Sequence, residues 1–173
     1  KLTYFSVASS YESIKKEKVR FPFVGTGKFI APEILEQKEI NVEYANRIDL
    51  YSLGIVLYYL AYGTYPFNLK GINSRNYELI LETIKKEKEL KFLNDRKISE
   101  PFKDFLKKIL EIDIDNRIDI KNALEHPWIK GAEIIINEKE KVSCLEKFLI
   151  LLITDSIKDF NDYMKSLDFE SID

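Results

Sequence analysis

The chain has 173 residues, of which 45% are hydrophobic and 32% are charged. This composition is typical of a globular domain and excludes disordered, collagen-like and membrane-embedded chains. A net charge of -2, from 27 basic and 29 acidic residues, leaves no overall positive field, so we expect neither nucleic acid nor an anionic membrane surface as a partner.

The chain contains one cysteine, Cys144, and one histidine, His126. A single cysteine forms no intramolecular disulfide and no thiolate cluster, which favours a reduced, intracellular (cytoplasmic) protein. His126 lies in a His-Pro-Trp sequence without a nucleophile or metal ligand at a functional spacing, so we expect it to pack at a helix end rather than to catalyse. The first residues show no basic and apolar leader of the kind found in signal peptides.

Residues 1–33 are polar and aromatic without a regular apolar period, which predicts a long irregular segment. A segment of this length in a compact domain is typically functional or mobile. Within it, residues 25–28 read Gly-Thr-Gly-Lys but lack the first glycine and the hydroxyl residue of a phosphate-binding P-loop. A short helix is predicted to open at residues 31–33, because proline suits the first turn of a helix.

The run from Asp49 to Tyr62 is apolar on nearly every face, which predicts a buried central helix that ends at Gly63. Amphipathic spacing predicts three further helices over Asn76–Glu89, Pro101–Leu110 and Ile120–Glu125. Pro127 predicts that the third of these extends little further. The predicted fold is therefore mainly α.

Residues 131–173 are predicted to form a helical C-terminal tail. A helix over Val142–Ile153 would end in six apolar residues, Phe148–Ile153, far fewer than the ~20 that a membrane span needs. Packing against the domain is the favoured interpretation of this run. Residues 155–173 fit either a docked amphipathic helix or a frayed tail.

Residues 25–33 read Gly-Thr-Gly-Lys-Phe-Ile-Ala-Pro-Glu and resemble the Gly-Thr-x-x-Tyr-x-Ala-Pro-Glu end of the activation segment in eukaryotic serine/threonine protein kinases. Further segments follow in the family's order: Asp49-Leu-Tyr-Ser-Leu-Gly54, Gly63-Thr-Tyr-Pro-Phe67, Asp115-Asn-Arg117 and Ala123-Leu-Glu-His-Pro-Trp128. The resemblance covers about residues 1–130 and is nearest to the calcium/calmodulin-dependent and calcium-dependent kinases. It implies a kinase-like C-terminal lobe that lacks the N-terminal β lobe.

The resemblance implies three regions: an activation segment over residues 1–33, a helical kinase lobe over residues 34–130 and a tail over residues 131–173. It also implies that Glu33 and Arg117 form a buried ion pair, which would fasten the activation segment to the helical lobe. The planar guanidinium with its five donors suits this task.

Further roles follow from the same resemblance. Gly25, Thr26 and Phe29 would bind the substrate, with Thr26 and Phe29 forming the wall that receives the residue after the phosphoacceptor. Asp49 would accept hydrogen bonds from the catalytic loop of a complete kinase, and Trp128 would have a structural role.

The chain departs from the family at its metal-binding turn, where Tyr4 stands in place of the magnesium-binding aspartate and Ser6 in place of glycine. A phenol is a poor magnesium ligand, because Mg²⁺ prefers hard anionic oxygens. Pro22 occupies a position at which many kinases carry an activating phosphate, and proline has no hydroxyl to accept one.

The glycine-rich loop, strand lysine and catalytic loop that hold ATP in the family do not occur in this sequence. We therefore expect no catalytic residue, metal site or cofactor in this chain, with ATP and Mg²⁺ bound only by a complete, active parent kinase.

Three hypotheses result. In the first, the chain is part of a serine/threonine kinase, complemented by an N-terminal lobe, and binds a protein substrate or partner. In the second, motivated by Tyr4 and Ser6, it is a pseudokinase-type interaction or scaffolding module. In the third it is an unrelated helical adaptor, in which Glu33 and Arg117 would not pair.

Because calcium-regulated kinases carry an inhibitory helix after the kinase domain, residues 131–173 have either that role or a packing role.

Overall fold

A computed structural model describes residues 17–87, 89–92 and 98–131. In chain order they form β1 (Lys18–Val19), α1 (Pro32–Leu35), β2 (Ile40–Asn41), α2 (Ala45–Tyr62), α3 (Tyr77–Lys86), α4 (Glu100–Ile109) and α5 (Ile120–Leu124). Short 3₁₀ turns at Gly27–Phe29 and Val42–Tyr44 precede α1 and α2. The mainly α prediction is confirmed, whereas the predicted tail over residues 131–173 lies almost wholly outside the described residues.

The central helix α2 begins at Ala45, earlier than the predicted Asp49. The Asn41 side chain accepts a hydrogen bond from the Glu43 N–H at 3.0 Å and so starts the 3₁₀ turn that leads directly into α2. This beginning was missed because residues 45–48 mix polar and apolar side chains and carry no continuous apolar signal. The helix ends as predicted at Gly63, whose N–H donates to the Tyr59 carbonyl at 2.7 Å.

Helix α4 packs closely across α2. Its N-cap, Ser99, accepts a hydrogen bond from the Phe102 N–H, and its apolar face is buried. A Cβ at Gly54 of α2 would lie 2.8 Å from Leu110 Cδ2 and 2.9 Å from Ile109 Cγ1. Glycine at this position therefore allows the two helices to approach each other.

Helix α3 packs against α1 and buries Ile80 and Ile84. It ends at Lys86 rather than at the predicted Glu89. The physical reason is that Glu87 leaves the helical conformation, and its carboxylate accepts a hydrogen bond from the Asn68 N–H at 3.2 Å.

Helix α5 starts at its N-cap Asp119, which accepts a hydrogen bond from the Asn122 N–H at 2.8 Å. As predicted, this helix ends before Pro127, at Leu124, and a separate helical segment over residues 127–131 begins at the proline. Proline is tolerated in the first turn of a helix, where its missing N–H has no helical partner. Trp128, in this last segment, is buried against Phe102 and Phe105 of α4, with ring centroids 4.6 and 4.9 Å apart.

Residues 1–33 were predicted to be irregular, and the structure differs at β1. This strand pairs with β2 in an antiparallel ladder that places Lys18 opposite Asn41 and Val19 opposite Ile40. Ile40 is buried, so core packing places β2 beside residues 18–19. Among the described residues, no helix has the length and apolar character needed to cross a bilayer.

Candidate functional site

Glu33 and Arg117 lie in direct contact, although they are far apart in the sequence. Arg117 Nη1 donates to Glu33 Oε1 at 2.7 Å, and Nη2 donates to Oε2 at 2.9 Å. Glu33 is 3% exposed and Arg117 is 1% exposed. The pair is therefore a buried, bidentate ion pair, the geometry in which a guanidinium binds a carboxylate most specifically.

The remaining donors of Arg117 are also used. Nε donates to the Glu111 carbonyl at 2.7 Å, Nη1 to the Arg47 carbonyl at 3.1 Å and Nη2 to the Ile112 carbonyl at 3.3 Å. All five N–H groups of the guanidinium thus have acceptors, which offsets the cost of burying the charge. Arg117 joins α1, α2 and the α4–α5 connection at one point.

Tyr51 lies beside this pair, with its ring centroid 4.8 Å from the Arg117 guanidinium carbon. The side chain is fully buried, and its hydroxyl has no hydrogen-bond partner within the described part of the chain. Burial raises the pKa of the Tyr51 phenol; the nearby Arg117 charge opposes the rise and Glu33 adds to it. The phenol therefore stays neutral and contributes ring packing.

The three predicted substrate-binding residues lie on one strip, residues 25–29, immediately before α1. Gly25 and Thr26 are exposed, and Phe29 is half-buried. The Thr26 carbonyl accepts a hydrogen bond from the Phe29 N–H at 2.9 Å, which forms the 3₁₀ turn. The strip presents backbone and a small polar side chain to solvent, while Glu33 anchors the chain just after it.

Two contacts that sequence reasoning missed support Phe29. The Ser52 hydroxyl donates to the Phe29 carbonyl at 2.8 Å. The Phe29 ring meets the Tyr65 ring edge to face, with centroids 5.9 Å apart, and Lys28 Nζ lies 5.2 Å from the Tyr65 centroid. Ser52 belongs to the Asp-Leu-Tyr-Ser-Leu-Gly segment, so the motif contained a signal for its role.

Asp49 lies inside α2 rather than at its start. The residue is exposed, yet the protein packed around its carboxyl group removes enough water to raise the carboxyl pKa. Its predicted role as an acceptor for a catalytic loop stays a prediction, because this sequence contains no such loop.

His126 is buried beside Trp128, and its Nδ1 accepts the Trp128 N–H at 3.2 Å. A ring nitrogen that accepts a backbone N–H carries no proton, so Nε2 carries it and donates to Asp104 Oδ2 at 3.0 Å. Lys108 Nζ donates to the same oxygen at 2.8 Å, and both hydrogen bonds lower the pKa of Asp104. His126 therefore has a structural role.

Tyr4 and Ser6, at the predicted metal-binding turn, lie outside the described residues. In the part of the chain that the structure describes, no group of three or more His, Cys, Asp or Glu side chains is placed to hold a metal ion.

A helical body crossed by one central helix, with an irregular segment fastened to it by a buried Glu–Arg pair, defines the C-terminal lobe of a protein kinase. Residues 1–129 match the protein kinase domain family. The chain therefore belongs to the protein kinase family. This membership, together with the Glu33–Arg117 pair, excludes the hypothesis of an unrelated helical adaptor.

The relatives include calcium-dependent, calcium/calmodulin-dependent and serine/threonine protein kinases. The chain is 38% identical to calcium-dependent protein kinase 21 of Arabidopsis thaliana over 125 residues, which cover 69% of this chain and 21% of the relative. It is 32% identical to calcium-dependent protein kinase 4 of Plasmodium berghei over 169 residues, which cover 95% and 28%. It is 35% identical to calcium/calmodulin-dependent protein kinase type 1 of Macrobrachium nipponense over 107 residues, which cover 62% and 29%.

The chain thus matches less than a third of the length of each of these relatives.

Proposed function

We propose that this chain supplies the activation segment and the substrate-binding lobe of a serine/threonine protein kinase, an ATP-dependent protein phosphotransferase. The observation that carries the proposal is the buried Glu33–Arg117 pair, which holds the strip of residues 25–29, exposed at Gly25 and Thr26, at one place on a helical body. A peptide site requires such an exposed segment on a rigid support, because support by packed elements keeps the contacts in register.

The substrate in this proposal is an extended protein segment that carries a serine or threonine. Gly25 and Thr26 offer backbone groups and a hydroxyl to the peptide, and the Phe29–Tyr65 ring pair offers an apolar wall to the following side chain. The serine/threonine kinases among the relatives support this choice of acceptor.

Phosphate transfer requires residues that this sequence does not contain. ATP and Mg²⁺ are bound, in this proposal, by the N-terminal lobe and catalytic loop of a complete kinase, where Mg²⁺ neutralises the β and γ phosphates. The 173-residue chain alone then has no phosphotransferase activity. A cytoplasmic location stays a prediction that rests on the single cysteine.

A pseudokinase-type interaction module is the second candidate function, and Tyr4 is the observation that favours it. In this alternative the strip of residues 25–29 binds a protein partner without phosphate transfer. The parent protein would then show no Mg²⁺-dependent binding of ATP.

The proposed substrate site is tested by peptide binding to the 173-residue chain. Fluorescent peptides with a central serine or threonine and randomised flanks are the probe, and fluorescence anisotropy is the readout. We expect a subset to bind, and Phe29→Ala to weaken that binding by about tenfold, since it removes the apolar wall. Lys121→Ala, an exposed change on α5, is the matched control. Equal binding by wild type and Phe29→Ala would reject the strip as the site.

A further inference from the structure

We propose that Gln37 and Tyr77 are positioning residues that hold the strip of residues 25–29 in place without a phosphate. The importance of the strip rests on the proposed function, whereas the contacts that hold it are independent of that function. We call these contacts the clamp: the β1–β2 ladder, the Gln37 side chain, and the stack of Tyr77 on Phe23.

The first part of the clamp is the β1–β2 ladder, which holds the start of the described activation segment. The Val42 N–H donates to the Glu17 carbonyl at 3.0 Å, next to the paired residues of both strands. The nearby ion pair of Arg20 and Glu39 is long, at 3.7 Å, and both side chains are more than half exposed. It contributes little, because exposed pairs are screened by water and salt.

The second part of the clamp is Gln37, the residue with positive φ that follows α1. Its φ is 54°, in the left-handed region that side chains other than glycine rarely adopt. From this conformation its amide Nε2 donates to the Ile34 carbonyl at 3.0 Å and to the Phe21 carbonyl at 3.3 Å. Gln37 therefore links the end of α1 to the activation segment, which gives a reason for the unusual backbone conformation.

The third part is the ring stack between Phe23 of the activation segment and Tyr77 at the start of α3. The two rings are parallel to within 2°, with centroids 5.0 Å apart. Phe23 is otherwise an exposed residue, so the stack is its main attachment to the helical body. Aromatic pairs of this kind stabilise beyond the area they bury.

Gly27 shows that this attachment reaches the strip itself. A Cβ at residue 27 would lie 2.1 Å from the Ser74 carbonyl oxygen and 3.0 Å from Tyr77 Cε1. The backbone of the strip is thus seated directly against the α2–α3 connection, at a distance that only glycine permits. Tyr77 therefore lies against Phe23, before the exposed Gly25 and Thr26, and beside Gly27, after them.

The clamp surrounds Pro22, which cannot be phosphorylated. Gln37 holds the carbonyl of the residue before it, and Tyr77 stacks on the ring of the residue after it. These contacts are neutral, so salt screening does not weaken them as it weakens contacts between a phosphate and basic side chains. The placement of residues 17–30 therefore requires neither a phosphate at residue 22 nor low ionic strength.

Hydrogen–deuterium exchange of the 173-residue chain, read by mass spectrometry over residues 17–30, tests the clamp. We expect Tyr77→Ala and Gln37→Met to speed exchange there by about fivefold, with α2 and α4 unchanged. Tyr77→Phe keeps the stacking ring, and Leu79→Ala removes an exposed side chain of the same helix, so both should match wild type. About 1 M NaCl should leave wild-type exchange unchanged.

If Tyr77→Ala does not fold, Phe23→Ala removes the same stack from its exposed side. Unchanged exchange in Gln37→Met and Phe23→Ala, or an equal rise throughout the chain, would overturn the proposal, as would a loss of protection in salt. Because no peptide is present, this readout does not depend on the proposed function. Faster exchange with unaltered peptide affinity would support the clamp and reject the strip as the substrate site.

Discussion

At the scale of single residues, the Glu33–Arg117 pair attaches α1, and the residues just before it, to the helical body. Each is buried, so removing one partner leaves an uncompensated charge in the interior. We expect Glu33→Gln and Arg117→Met each to lower the free energy of unfolding by about 3–5 kcal/mol, as measured by urea denaturation.

The matched control for this ion pair is Glu100→Gln, which removes the exposed partner of Lys103. It should change the free energy of unfolding by less than about 0.5 kcal/mol, because exposed pairs contribute little. A comparable loss in the control and in Glu33→Gln would mean that burial of the pair has no special importance.

Two buried tyrosines provide a second prediction at this scale. The Tyr51 hydroxyl has no hydrogen-bond partner in the described residues, whereas the Tyr58 hydroxyl donates to the Lys91 carbonyl. We expect Tyr51→Phe to leave stability unchanged or raise it by about 1 kcal/mol, and Tyr58→Phe to lower it by about 1 kcal/mol. Thermal unfolding compares the two variants. A clear loss in Tyr51→Phe would reveal a partner for that hydroxyl.

At the scale of elements, the N-cap of α5 makes a local contribution that can be isolated. Asp119 accepts hydrogen bonds from the backbone N–H and the side-chain amide of Asn122, at 2.8 and 2.9 Å. We expect Asp119→Ala to lower the free energy of unfolding by about 1 kcal/mol, because the N–H loses its acceptor. Asp119→Asn should retain most of the stability, since asparagine also caps helices, and Lys121→Ala should have little effect.

The same cap predicts a pH dependence. Hydrogen bonding from the Asn122 N–H lowers the pKa of Asp119 below that of an ordinary aspartate. A carboxyl whose pKa is lower in the folded state than in the unfolded state stabilises the fold at any pH above the unfolded-state pKa, which is about 3.9. This stabilisation is lost as the pH falls through the lower, folded-state pKa. Between about pH 5 and pH 2, the unfolding free energy of Asp119→Asn should therefore fall less steeply than that of wild type. Parallel curves would exclude this contribution.

At the scale of the whole molecule, α2 presents an apolar face to solvent although it is the central helix. Val56, Tyr59 and Leu60 are 40%, 44% and 40% exposed and lie on one side of the helix. Exposed apolar faces of this kind mark contact surfaces. We expect the 173-residue chain to self-associate as its concentration rises, as measured by sedimentation velocity.

The double variant Val56→Lys with Leu60→Lys should reduce this association, because charges on the face oppose its burial. Leu79→Lys changes an equally exposed leucine on α3 and should leave the association as in wild type. A wild-type chain that stays monomeric at all concentrations would contradict the prediction.

The helices could be predicted because their signals are local. Helices α3, α4 and α5 each have apolar residues at helical spacing after a polar N-cap, so the pattern within about ten residues is sufficient. Strands β1 and β2 have two residues each and show no period. Their pairing depends on segments that only the folded core brings together.

The candidate site was predictable only in part, for the same reason. Glu33 and Arg117 were found because both lie in segments that resemble a known family. Ser52, Gln37 and Tyr77 were assigned no role, since their partners are backbone carbonyls and a ring in a segment remote in the sequence. Nothing in the residue types alone identifies such acceptors.

The sequence by itself determined the family, the mainly α class and the ends of most helices, because these depend on short motifs and on the spacing of apolar residues. Only the tertiary structure decided how the segment of residues 17–33 is held. Its attachments at Glu33, Gln37 and Phe23 each join groups from different elements. Such contacts exist only after core packing has placed those elements side by side, which no local pattern specifies.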